Sequence, residues 1–284
     1  MKVRRFYLEN EKGQSIDMNS LKEGCFFSSP TGLGYAYKSE FEQLGNTFVE
    51  NDKQLSQKEI SGTIHFSSYD KFKQFVDFVE SSEKLKIKYV VPYLSGEKEY
   101  YKDISIKDFQ KKEIHIKMLS CPITFYCLSL WYEQTTAIYT IEPSENEIRW
   151  DFRWDSKFTD YNTRTLTYIN KGHTEASILV EMAGKVVSPY IEMYVEGELY
   201  QSVTFNTTIE EYEKLLYGTK ENEFYIYKQH TDGTLESLFN LDVIDFSNDN
   251  IIRLPQNKSC EIKLRAQNEV LNAQLTILTY YKAV

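Results

Sequence analysis

The chain has 284 residues, of which 41% are hydrophobic and 26% are charged, and this composition excludes an intrinsically disordered protein. Aromatic residues make up 15% of the chain, with 22 Tyr and only 6 Pro, which favours β-sheets over helices. The net charge of −9 arises in residues 141–284, which hold 14 basic and 23 acidic residues. This half is therefore expected to repel nucleic acid and anionic membranes.

The cysteines and histidines are scattered and show neither CxxC nor zinc-ligand spacing. They are Cys25, Cys121, Cys127, Cys260, His65, His115, His173 and His230. We therefore expect reduced thiols, no metal and no cofactor. The N-terminal residues contain no apolar signal-peptide core, and no run reaches the ~18 apolar residues of a membrane span. These patterns predict a protein that is made in the cytosol and has no membrane partner.

Most of residues 1–140 alternate between apolar and polar residues, which predicts strands. The predicted strands are 2–8, 34–41, 44–50, 59–66, 85–93, 100–108, 113–119 and 123–132. The segment from Ser29 to Gly34 contains one Pro and two Gly and is predicted to be a loop.

One helix is predicted in the first half, because the apolar spacing changes to three or four residues after Ser68. Ser67 or Ser68 can cap its start, and Asp70 in the first turn suits the helix dipole. Phe75 and Phe78 widen the apolar stripe, so that apolar residues cover nearly two faces of this helix.

The segment 141–146 carries Pro, Ser, Asn and two Glu and is interpreted as a linker. It divides the chain into predicted domains at 1–140 and 141–284, and the last strand could return to the first domain. Strands are predicted in the second domain at 165–170, 177–182, 190–195, 198–205, 223–229, 250–254, 260–266 and 273–280. A short helix is predicted at 208–218, where Thr208 and Glu211 form a capping box and Gly218 follows the last turn. Eight short strands favour a two-sheet jelly-roll sandwich.

No catalytic or nucleotide-binding motif is present, so we expect a protein that is not an enzyme. Trp150 and Trp154 could stack on sugars, or they could fill one face of an edge strand. An acidic turn at Asp242, Asp245 and Asp249 lacks the ligand spacing of a calcium-binding loop.

Two basic segments could contact nucleic acid, or could form the wet faces of amphipathic strands. They are the lysines at 84, 86 and 88 and the region 112–117.

The order of features in residues 1–132 resembles the distal tail proteins of siphophages that infect Gram-positive bacteria. The matching pieces are Leu8-Glu9-Asn10-Glu11-Lys12-Gly13, Ser29-Pro30-Thr31-Gly32-Leu33-Gly34, Gly62-Thr63-Ile64-His65-Phe66 with Tyr69 and Phe72, the Leu85 to Tyr89 strand, Tyr100-Tyr101-Lys102-Asp103, and Lys112-Glu113 leading to Phe125 and Leu128-Ser129-Leu130-Trp131. No single piece is specific to this family, and the resemblance depends on the order of the pieces along the chain.

This resemblance implies a mainly β protein whose first, β-sandwich-like domain with one helix forms a homohexameric ring at the distal end of the tail tube. It implies a second, galectin-like jelly-roll domain on the periphery. The implied partners are further copies of the chain, the tail tube protein, and tail fibre or receptor-binding proteins, with DNA only in passage and the virion tail tip as the location.

Four residues are candidates for the interface between neighbouring subunits of such a ring: Phe75, Phe78, Pro30 and Leu33. The hypothesis for the helix is that one of its faces packs on the core and the other on the neighbour. A carbohydrate-binding tail protein, with glycan contacts at Trp150 and Trp154, is the alternative function, and a wall-degrading enzyme is a third.

Overall fold

The structure is a computed structural model that describes residues 4–113, 118–141, 165–239, 251–267 and 271–284. The chain divides into two compact units. The first unit comprises Met1–Glu133 with Tyr281–Val284, and the second comprises Gln134–Tyr280. The division therefore falls before the predicted boundary at residues 140 and 141, and the last four residues lie in the first unit.

The first unit is built from short antiparallel strands and one helix. In chain order they are β1 Arg5–Asn10, β2 Ser15–Asp17, β3 Phe26–Thr31, β4 Tyr37–Leu44, β5 Thr47–Leu55, β6 Glu59–Phe66, α1 Tyr69–Glu80, β7 Leu85–Tyr93, β8 Gly96–Phe109, β9 Leu119–Cys127 and the start of β10 Trp131–Ile141.

Seven strands of this unit pair in the order β3-β6-β9-β8-β7-β1-β2, and every pairing is antiparallel. Alternate residues of β1 and β9 are buried, because successive side chains of a strand point to opposite faces. The buried side chains form one core, which includes Leu8, Ile64, Phe66, Ile87 and Trp131.

The predicted helix at residues 69–80 is confirmed as α1. Ser68 caps it by accepting the backbone N–H of Lys71 on its hydroxyl, and Asp70 lies in the first turn. The helix places Phe75 in the core of the first unit, edge-on to Phe66 at 5.5 Å between ring centroids.

The second unit contains the rest of β10 and twelve further strands. They are β11 Thr165–Ile169, β12 Ala176–Ala183, β13 Val186–Val187, β14 Tyr190–Val195, β15 Glu198–Thr204, β16 Thr208–Ile209, β17 Lys214–Gly218, β18 Tyr225–Gln229, β19 Leu235–Ser237, β20 Arg253–Leu254, β21 Ser259–Arg265 and β22 Leu271–Tyr281.

These strands form two main sheets around one apolar core. One sheet has the order β19-β18-β17-β12-β22-β10, and the other has the order β11-β21-β14-β15. Both contribute to the same core, with Val180 and Leu215 from the first sheet and Ile191 and Ile262 from the second. The mainly β fold class is confirmed, whereas the jelly-roll strand order stays a prediction.

The predicted helix at 208–218 is wrong, because β16, a tight turn and β17 occupy these residues. The Glu213 carboxylate accepts the backbone N–H of Glu210 at 2.9 Å and fixes the turn, in which Tyr212 has a positive φ of 78°. After the turn, Leu215 and Tyr217 alternate into the core, and β17 pairs with β12 and β18 on its two sides. Burial between two neighbouring strands therefore outweighs the local helix signals.

Candidate assembly surface

A β-hairpin formed by β4 and β5, here called the arm, is the most exposed element of the first unit. Its strands pair from Tyr37 opposite Leu55 to Leu44 opposite Thr47. The two-residue turn Gly45-Asn46 joins them, and Gly45 has the positive φ (63°) that the first central residue of a type II′ turn requires. No residue of either strand is buried.

The arm exposes large apolar side chains that would normally be buried. Phe41 is 62% exposed and Phe48 is 69% exposed. They share one face, because Phe41 is opposite Glu50, Gln43 is opposite Phe48, and Phe41 and Gln43 are two residues apart. The strands predicted at 34–41 and 44–50 fall on this hairpin, and the structure adds that they pair with each other. The Gly45-Asn46 turn is the signal that could have revealed it.

The opposite face of the arm carries carboxylates. Lys38, Glu40 and Glu42 alternate with the residues that face the other way, and the Asn51 amide binds the Glu42 carboxylate at 3.0 Å. On the aromatic face, Glu50 forms a 3.5 Å ion pair with Lys53. One face of the arm is therefore aromatic, whereas the other carries Glu40 and Glu42 together with the exposed Leu44 and Val49.

The base of the arm is fixed to the first unit at a position that only glycine tolerates. Gly32 has a φ of 79°, and a Cβ atom there would lie 1.8 Å from the carbonyl oxygen of Glu59. The buried Trp131 indole donates a hydrogen bond to the carbonyl oxygen of Leu33 at 3.0 Å. After β5, the Gln57 amide donates a hydrogen bond to the carbonyl oxygen of Cys127 at 3.3 Å.

The four residues predicted at a subunit interface have different environments. Phe75 is 1% exposed and is fully occupied in the core, so its side chain cannot reach a neighbour without unfolding. Phe78 and Leu33 are half-buried and pack against the same core, and Pro30 is half-buried in β3. For Phe78, Leu33 and Pro30 the interface assignment stays a prediction.

The lysines of β7 form ion pairs with neighbouring strands. Lys86 lies 3.3 Å from Glu9 and Lys88 lies 2.7 Å from Glu99, while both ammonium groups lie over the ring of Tyr101. Paired charges of this kind are typical of a solvated strand face and leave little net charge for phosphate binding. Residues 114–117 of the second basic segment lie outside the described part of the chain.

The described residues hold no cluster of His, Cys, Asp and Glu that could bind a metal ion. All four cysteines are free and buried, and burial raises the pKa of Cys25 to about 12 and that of Cys260 to about 11. Trp150, Trp154, Asp242, Asp245 and Asp249 lie outside the described residues. Among the described residues, none of the helices is long and apolar enough to cross a membrane.

Comparison with known proteins identifies the family of the N-terminal domain. Residues 5–128 match the family model of the distal tail protein, N-terminal domain. Residues 5–128 therefore form a distal tail protein N-terminal domain. The resemblance recognised in the order of its motifs is therefore confirmed.

Solved structures of the same fold include phage baseplate components. A chain of the phage P2 baseplate in its activated conformation with Ca is 18% identical, with a TM-score of 0.69 and full coverage of both chains. The SPP1 Dit protein, described as a paradigm of the hub adsorption apparatus in phages that infect Gram-positive bacteria, is 10% identical, with a TM-score of 0.54 and 98% of each chain covered. No curated protein matches the chain significantly. None of these findings supports the glycan-binding alternative.

Proposed function

We propose that six copies of this protein form a closed ring at the distal end of the phage tail tube, with the arm of each copy lying on the next. The observation that carries the proposal is the arm itself. A two-stranded hairpin is at best marginally stable alone in water. An arm that leaves Phe41 and Phe48 largely exposed therefore indicates a surface that is completed by another chain.

A second copy of the chain is the partner that this geometry favours. The arm projects from one site on its own copy and would bind a different site on the next copy. Such a contact is head-to-tail, and it closes into a ring when the rotation between neighbouring copies brings the last copy back to the first. Burying Phe41 and Phe48 would contribute roughly 1.5–3 kcal/mol each to every contact. In a closed ring every arm is bound to a neighbouring copy, whereas an open chain of copies leaves one arm exposed at its end.

The charge distribution supports the passage of DNA through the ring. Residues 1–140 hold 19 basic and 19 acidic residues, and the β7 lysines are paired with carboxylates. Few phosphate contacts form on such a surface, so that DNA can slide without being retained. In this proposal the acidic second unit provides the attachment site for receptor-binding or fibre proteins, and the ring binds the tail tube protein.

Substitution of the arm's aromatic face tests this proposal. Phe41→Ser with Phe48→Ser should leave the circular dichroism and thermal unfolding unchanged, because both side chains are exposed. The same variant should sediment as a monomer under conditions where the parent protein forms rings. Tyr200→Ser, which removes a 55% exposed aromatic from β15, is the matched control and should assemble normally. Assembly of the double variant at the parent's concentration would refute the role of the arm.

A further inference from the structure

The C-terminal residues 281–284 contact the base of the arm. Tyr281 packs edge-on to Tyr100, with 5.5 Å between ring centroids, and its hydroxyl donates a hydrogen bond to Glu133 at 3.1 Å. Val284 packs against the core of the first unit. The segment is therefore anchored on both sides of Lys282.

Lys282 extends from this anchored segment to the first residue of the arm. Its ammonium group donates a hydrogen bond to the Tyr37 hydroxyl at 2.8 Å and lies 5.4 Å from the centre of the Tyr37 ring. Lys53, on the partner strand of the arm, lies 4.9 Å from the centre of the same ring. Two cations thus hold the Tyr37 ring at the point where the hairpin leaves the first unit.

Other contacts hold the chain segments on both sides of the arm, and after β5 the Gln57 amide binds the carbonyl oxygen of Cys127. Before β4 the chain contacts the body at Gly32 and at the carbonyl oxygen of Leu33, and a Cβ atom added at Gly34 would meet no other atom within 4 Å. The bond from the Ser56 N–H to the carbonyl oxygen of Ala36, at 2.9 Å, closes the hairpin base but joins the two arm strands only to each other. A change of backbone angle at Gly34 would therefore redirect the arm, and Lys282 binds Tyr37 beyond this residue.

We propose that the C-terminal segment is a latch, in which Lys282 holds Tyr37 and thereby sets the direction in which the arm leaves the first unit. Ring closure requires that every arm points to its neighbour at the same angle, because head-to-tail contacts at another angle give open chains. A fixed arm also loses less conformational freedom when it binds. This proposal rests on the proposed ring function, but the latch itself can be tested in a single copy.

Distances between spin labels on Asn46→Cys at the arm tip and Ser95→Cys in the β7–β8 turn test the latch in the full chain. Both positions are exposed, whereas the four native cysteines are buried and should stay unlabelled. The distance distribution should be narrow in the parent and should broaden in Lys282→Met, which keeps the apolar stem and removes the charge. Tyr37→Phe, which keeps the ring and loses the hydroxyl, should broaden it less. Lys258→Met is the control, because Lys258 is an exposed lysine of the second unit that lies 4.0 Å from Glu196.

Assembly provides the second measurement. The loss of one charged hydrogen bond per arm should raise the concentration needed for half-assembly by about tenfold in Lys282→Met. An unchanged distance distribution in both Lys282→Met and Tyr37→Phe would overturn the latch, even where the parent forms rings. Failure of the parent to form rings, with a broadened distribution in Lys282→Met, would refute the ring proposal and leave the latch standing.

Discussion

The Trp131 indole nitrogen lies 3.0 Å from the carbonyl oxygen of Leu33 and joins the core of the first unit to the chain segment that leads into the arm. The indole is fully buried, packs against Tyr89, and has the ammonium group of Lys102 at 4.9 Å from its ring. One side chain thus contributes to the core, to the arm base and to the burial of a lysine.

Trp131→Phe should lower the free energy of unfolding by about 2–4 kcal/mol, because it leaves a cavity and a carbonyl oxygen without its hydrogen bond. Urea unfolding followed by circular dichroism measures this change. Leu128→Ala changes a half-exposed side chain nearby in sequence and should lower the free energy of unfolding far less. Equal losses in the two variants would contradict the role assigned to Trp131.

Lys102→Met should stabilise the protein at neutral pH by about 1 kcal/mol, because the cost of burying a charge exceeds the cation–π attraction to Trp131. Lys102 is 3% exposed, and burial lowers its pKa below the usual 10.5. The folded state therefore binds this proton less readily than the unfolded state does. The stability of the parent should rise as the pH approaches 10.5, and that of Lys102→Met should rise less. Urea titrations at neutral and alkaline pH measure both effects, and a less stable variant at neutral pH would contradict this account.

Glu213→Gln should make the second unit less sensitive to acid. Hydrogen bonds from Lys228 and the Glu210 N–H, and then from His230, lower the pKa of Glu213 from 4.5 to about 2. The folded state thus favours the carboxylate, whose stabilisation is complete above pH 4.5 and is lost as the pH falls towards 2. Urea unfolding between these pH values should show a steeper loss in the parent than in Glu213→Gln. Glu211→Gln, in the same turn but exposed, should behave like the parent, and a parent-like slope in Glu213→Gln would disprove the assignment.

The four thiols should be unreactive in the folded protein. Burial raises the pKa of each, to about 12 for Cys25 and about 11 for Cys260, so that little thiolate exists at neutral pH. An aromatic disulfide reagent should titrate no thiol before denaturant is added and four afterwards. Rapid reaction of one thiol in the native protein would show that its site is open to solvent.

Sequence periodicity located most strands of the first unit because half of each strand faces one core, as the alternating burial of β1 and β9 shows. It failed at 208–218, where Glu213 reads as a helix residue but its carboxylate is used by the turn and by two neighbouring basic side chains. It could not reveal that Phe41 and Phe48 are exposed, because alternation in a free hairpin looks the same as alternation on a core. The burial of Phe75 and the half-burial of Phe78 likewise depend on how α1 is rotated, which their spacing does not determine.

Native mass spectrometry of the purified protein over a range of concentrations measures whether six copies assemble through the arm. The proposed ring should give a species of six times the chain mass of 33.5 kDa. This species should disappear when the arm, Tyr37–Leu55, is replaced by a short glycine linker. A monomer at every concentration, or an assembly that persists without the arm, would contradict an arm-mediated hexamer.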